Sequence, residues 1–225
     1  MQNILNGAAV FADSSFATAN DEELNNTALY RLRAINFEAN KNYLKNKPFK
    51  QVLDLAIVGF IDLGNDRRSA LTDVDLQNLE VSFEQFVEAA YDNFRNKIFI
   101  YSECDYISGL MDYDPDDVLP EYYAGEDGLY IIGNSHQPEA TALLGDQKWL
   151  EDKRKKYGDY YIFPLSCHEI LLAPTELGRV ARSLPIQGLV NEGKITTGEV
   201  LSINIYKYDG ALSIVSASDI DDDWC

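Results

Sequence analysis

The sequence predicts an α+β fold, a mainly antiparallel sheet with flanking helices. Three observations point there. Short apolar runs of strand length recur along the 225 residues, and stretches with helix-end signals stand between them. No regular strand-helix-strand period joins the two, which argues against a parallel sheet. Near the end, Asp209-Gly210 between two alternating runs is a hairpin signal.

The elements follow in order. Residues 1–25 are small and polar and read as a loosely held lead-in, with a short strand at "AAVFA". "ALYRLRAI" (28–35) alternates as a strand does. "NFEANKNYLKNKP" is helical until Pro48 forbids more. "VLDLAIVGFIDL" (52–63) is rich in β-formers and reads as one central strand, closed by a turn at Gly64-Asn65. "DVDLQNLE" is a short helix or turn. Ser82 and Gln85 then form a capping box, opening a helix with Phe83, Phe86, Val87, Ala90 and Phe94 on one stripe and Glu84, Glu88 and Asp92 facing water.

In the second half, "GLYIIGN" (128–134) reads as a strand and "ATALLG" (140–145) as a strand or short helix. "DQKWLEDKRKKYG" (146–158) is a helix, acidic at its start, basic at its end and stopped by Gly158. "DYYIFPL" and "HEILLAP" are strands, "TELGRVARSLPIQGLV" is a helix interrupted by Pro185, and "EVLSINIYKYDGALSIVSA" is the late hairpin. Residues 26–218 thus form a single α+β domain, or two subdomains of about 26–110 and 111–218. Residues 219–225 are an acidic tail.

Composition excludes several function classes. The formal net charge is −18 and the pI near 4.3. So acidic a surface repels DNA, RNA and anionic membranes and favours basic partners. No run of about 18 apolar residues spans a membrane, and the start lacks the basic region of a secretory signal. Three scattered cysteines, Cys104, Cys167 and Cys225, read as reduced thiols in a cytoplasm.

The charge is uneven. From Ile98 to Gln147 there is no Lys or Arg, while eleven carboxylates stand there: Glu103, Asp105, Asp112, Asp114, Asp116, Asp117, Glu121, Glu126, Asp127, Glu139 and Asp146. Tyrosines interleave them, Tyr113, Tyr122 and Tyr123 among others. Spaced carboxylates imitate phosphate positions, and tyrosines pack on arginine guanidiniums. Asp112, Asp114, Asp116, Asp117, Glu121, Tyr113, Tyr122 and Tyr123 are therefore the candidate partner-binding residues. A calcium loop fits less well: Asp112, Asp114 and Asp116 have its opening spacing, but Asp117 stands where glycine belongs, Pro115 interrupts, and Tyr123 occupies the final ligand position.

Cys167-His168-Glu169 brings together the parts of a nucleophilic site. In a strand, however, Cys167 and Glu169 share one face and His168 takes the other, so a dyad would have to recruit His136 from a distance. No ligand pair has zinc-like spacing. A corner between strands is the plainer reading, and no cofactor or metal is expected.

Four stretches together resemble an uncharacterised domain family of unknown function, common in clostridial gut bacteria and often encoded on mobile elements and phages. They are "ALYRLRAINFEANKNYLKNKPFKQVLDLAIV", "SALTDVDLQNLEVSFEQFVEAAYDNF", "GLYIIGNSHQPEATALLGDQKWLEDKRKKYGDYYIFPLSCHEILLAP" and "GEVLSINIYKYDG", covering roughly 28–210. The resemblance implies an accessory role and a longer N-terminal region than stands here. Its pattern keeps His168-Glu169, with a small residue more often at the position of Cys167.

The expected function is that of a non-enzymatic acidic protein that binds and inhibits a basic host or defence protein, as a nucleic-acid mimic or otherwise. The alternatives are a hydrolase using His168 and Glu169 with Cys167 or His136, and a small-ligand sensor domain.

Overall fold

Two antiparallel sheets organise the chain. The structure, a computed structural model, describes residues 17–65, 67–95, 99–102, 130–133, 140–164, 166–167, 169–177, 201–216 and 220. The first sheet is built on β3 (Leu55–Asp62). It pairs with β1 (Tyr30–Asn36) along one edge, and with β2 (Phe49–Val52) and then β4 (Arg68–Ala70) along the other. The second sheet has six strands in the order β10 (Leu212–Val215), β9 (Ile205–Tyr208), β7 (Tyr160–Phe163), β8 (Glu169–Pro174), β6 (Tyr130–Gly133) and β5 (Phe99–Ser102). With its helices, this is the α+β architecture expected.

β3 is buried from Leu55 to Ile61. Leu55, Ile57 and Ile61 face the main core, while Ala56, Val58 and Phe60 enter a smaller cluster on the opposite face with Ile35 and Leu44. Burial on both faces explains why the strand reads as continuous apolar residues rather than as alternation. The main core also takes Ile132, Tyr160, Ile162, Leu172 and Tyr206 from the second sheet, so one core joins the two sheets.

Five α-helices are described. α1 (Asp21–Asn25), α3 (Asp73–Leu79) and α4 (Phe83–Phe94) each start in a capping box, on Asn20, Thr72 and Ser82 respectively. α4 lays Phe86, Val87, Ala90 and Tyr91 on the first sheet, with the Phe86 and Tyr30 rings stacked at 4.2 Å. Gly59 of β3 makes this contact possible: a Cβ there would lie 2.7 Å from the Phe86 ring and 2.9 Å from Leu71. α5 (Gln147–Tyr157) is capped by Asp146, whose carboxylate accepts from the Lys148 and Trp149 amides, and it ends at Gly158.

Several local expectations are corrected. The helix after β1 shrinks to α2 (Lys41–Leu44), because Asn40 makes no side-chain cap and the flanking residues turn. Residues 52–63 are not one strand: Leu53-Asp54 is a hairpin turn between β2 and β3, with Leu53 at φ 55°. β9 begins only at Ile205, and its turn to β10 spans three residues, since Tyr208 pairs with Leu212. Of the two readings of "ATALLG", strand or short helix, the structure has the helix, a 3-10 turn over Ala140–Gly145, wholly buried. The strand expected at "AAVFA" and the helix expected after Leu177 lie outside the described residues. Among the described residues no helix is long and apolar enough to cross a membrane.

Candidate functional site

The Cys-His-Glu stretch occupies the corner between β7 and β8. Ser166 donates its amide to the Glu169 carbonyl at 3.2 Å, and Thr141 of the buried 3-10 helix donates its hydroxyl to the Ser166 carbonyl. Cys167, a thiol outside any disulfide, is half-buried against the main core. Glu169 opens β8 opposite Gly133 of β6. His168 and His136 lie outside the described residues. Among the described residues no cluster of three or more His, Cys, Asp or Glu side chains could hold a metal ion.

The acidic stretch connects β5 to β6. These strands pair antiparallel, with Ser102 opposite Tyr130, so residues 103–129 leave and re-enter the edge of the six-stranded sheet at neighbouring points. The candidate residues Asp112, Tyr113, Asp114, Asp116, Asp117, Glu121, Tyr122 and Tyr123 fall in this connection and lie outside the described residues. One carboxylate of the stretch is removed from any acidic surface. Asp146 is only 4% exposed and bonds Arg95 Nε at 2.6 Å.

Sequence reasoning missed two polar constellations. The first surrounds a cavity of about 660 Å³ between α4, β2 and the start of α5, lined by Phe49, Lys50, Phe83, Glu84, Val87 and Glu88, and by Tyr91, Arg95 and residues 145–148. Arg95 joins three carboxylates: Asp146, Asp92 at 2.7 Å and Glu88 at 3.0 Å. The Asp146 hydrogen bond is the main reason its guanidinium is held even more firmly protonated than usual. Tyr91 donates to the Ala142 carbonyl at 2.8 Å, and burial, reinforced by Asp146, raises its phenol. Lys50 Nζ donates to the Gly145 carbonyl at 2.6 Å. The Glu84 carboxyl is lowered by its own backbone amide and by Ser82, with Lys50 contributing less.

The second constellation centres on Asp54, in the β2–β3 turn. Its carboxylate accepts from Ser202 Oγ at 2.7 Å, from Asn204 Nδ2 at 2.9 Å and from the Tyr206 hydroxyl. Beside it, Asn36 donates to the Leu201 carbonyl at 2.9 Å. Ser202 and Tyr206 are fully buried, and burial, then the Asp54 charge, raises the Tyr206 phenol. These bonds fasten the lead into β9 onto the first sheet. The geometry is that of a clamp, one carboxylate of the β2–β3 turn holding three donors from 202–206. Its signal in the sequence was faint: Asp54 sits in "LDLAIV" and its donors in "LSINIYKY", both within the stretches that carry the family resemblance.

Comparisons with curated proteins and with solved structures find no match. A family model described as a family of unknown function, DUF5688, matches residues 13–210 and so takes in the first sheet, the second sheet up to β9, the corner, the cavity and the Asp54 clamp. The chain belongs to this family of unknown function, DUF5688.

Proposed function

We propose that this is a non-enzymatic interaction protein that offers a field of carboxylates to a basic protein, a nucleic-acid-binding or defence protein of the host, and inhibits it by occupying its cationic groove. An origin on a mobile element or phage is part of the same reading. The observation that carries it is the pairing of Ser102 with Tyr130, which brackets a 103–129 connection holding nine carboxylates and no Lys or Arg. A recognition segment anchored at both ends on a rigid sheet is a common way for a fold to carry a binding surface. The formal charge of −18 acts in the same direction, by steering cationic partners inward.

The test is capture from host lysate with the wild-type chain and with an Asp112→Lys, Asp114→Lys, Asp116→Lys, Asp117→Lys variant in parallel. We expect the wild type to retain a basic protein that salt elutes, and the variant, equally folded by circular dichroism, to lose it. A partner held equally by both chains would remove the acidic stretch as the site.

A further inference from the structure

The cavity between α4, β2 and the start of α5 has the chemistry of a small-molecule site, and its charges define what fits. Its volume, about 660 Å³, lies within the range of ligand pockets. Phe49, Phe83 and Val87 supply apolar wall from two elements. Its charged groups divide into engaged and available. Arg95 is tied to three carboxylates, and Asp146 to Arg95 and two helix amides. These form a fixed, mutually neutralised part of the wall.

Lys50 and Lys148 differ. Lys50 donates one hydrogen bond, to the Gly145 carbonyl, and an ammonium has three N–H donors. Among the described residues no carboxylate lies within ion-pair distance of either lysine, and both are exposed at the cavity. The available positive charge therefore gathers beside the apolar wall. Glu84 and Glu88 also line the cavity. With the chain's net charge of −18, they set a ceiling on the negative charge a ligand can carry. A cation would meet Lys50 and Lys148, a dianion would meet the glutamates and the overall field, and an uncharged apolar molecule would leave the lysine donors unanswered.

We propose that this cavity binds an organic monocarboxylate with an aromatic or branched apolar body, its carboxylate on Lys50 and Lys148 and its body against Phe49, Phe83 and Val87. The proposal uses no residue of 103–129, so it stands or falls independently of the partner-binding reading.

The test is calorimetric titration of the full chain with 3-phenylpropionate and indole-3-acetate, each beside its primary amide and its amine analogue. The carboxylates bind, the amides at least about tenfold more weakly, since one charge-assisted contact is lost. Lys50→Met weakens carboxylate binding about tenfold with an unchanged circular dichroism spectrum, and Glu84→Gln strengthens it. No heat of binding at roughly 10 mM carboxylate, a concentration that fills a site of millimolar or tighter Kd, overturns the proposal. So does equal binding of acid and amide, or an affinity that Lys50→Met leaves unchanged.

Discussion

At the residue scale, Asp54 carries more than its place in a turn suggests. Three donors from a segment about 150 positions further along converge on one carboxylate, and two of them belong to fully buried residues. Removing the acceptor leaves buried polar groups without a partner, a larger cost than losing a bond in water. We expect Asp54→Ala to destabilise by about 2–4 kcal/mol and Tyr206→Phe by about 1 kcal/mol. In a double-mutant cycle from urea unfolding, the two should couple by about 1 kcal/mol or more. Additive effects would mean that the phenol does not depend on the carboxylate. Nothing in local periodicity joins positions 54 and 202, so the clamp was not legible in the sequence. The same holds for Arg95 and Asp146, 51 positions apart. Cys167-His168-Glu169, by contrast, drew notice because its residues are neighbours; Cys167 stands in the bend before β8 and Glu169 opens that strand.

At the element scale, what could be read was what local chemistry decides. The capping box at Ser82 and the Asp146 to Gly158 frame of α5 depend on side chains within a few residues, and both helices form as expected. What tertiary context decides was missed. Leu53 adopts a backbone that glycine usually takes, so nothing marked the hairpin within an apolar run. "ATALLG", apolar but for Thr141, admits a strand or a short helix, and periodicity does not decide between them. That 3-10 helix meets β1, β2, β8 and α5. Its last residue shows how tightly it fits. A Cβ on Gly145 would stand 2.5 Å from the Tyr91 hydroxyl and 3.2 Å from Ile57 Cγ1. We expect Gly145→Ala to lower stability by about 1–3 kcal/mol through overpacking, measured by urea denaturation. A neutral result would show that Tyr91 can retreat from the Ala142 carbonyl at no cost.

At the scale of the whole molecule, the buried phenols set an alkaline limit. Tyr91, Tyr160 and Tyr206 are raised above 10.0, each mainly by burial, and Tyr43 is pushed up to about 12 by the same cause. Below pH 10 these phenols are protonated in both folded and unfolded chains, and the fold keeps its full stability. Above it the unfolded chain gives up protons that the folded chain retains, so stability falls by about 1.4 kcal/mol per pH unit for each such group. Unfolding between pH 10 and 12 should release a late share of the phenolate absorbance, because these four of the 14 tyrosines ionise only once exposed. Ionisation of all 14 tyrosines in a chain still folded by circular dichroism would contradict the burial. The uneven charge along the chain belongs to the sequence itself, whereas the cavity was not legible there, since its lining comes from three separated stretches.

The juxtaposition of Ser102 and Tyr130 has an evolutionary corollary. Closing a chain between two fixed, adjacent points costs only about 0.6 kcal/mol more for each doubling of its length. Lineages could therefore lengthen, shorten or wholly rewrite 103–129 without disturbing the strands that hold it. If the proposed function holds, relatives with the same framework would be retargeted versions of one chassis, differing in the cargo mounted between these two strands.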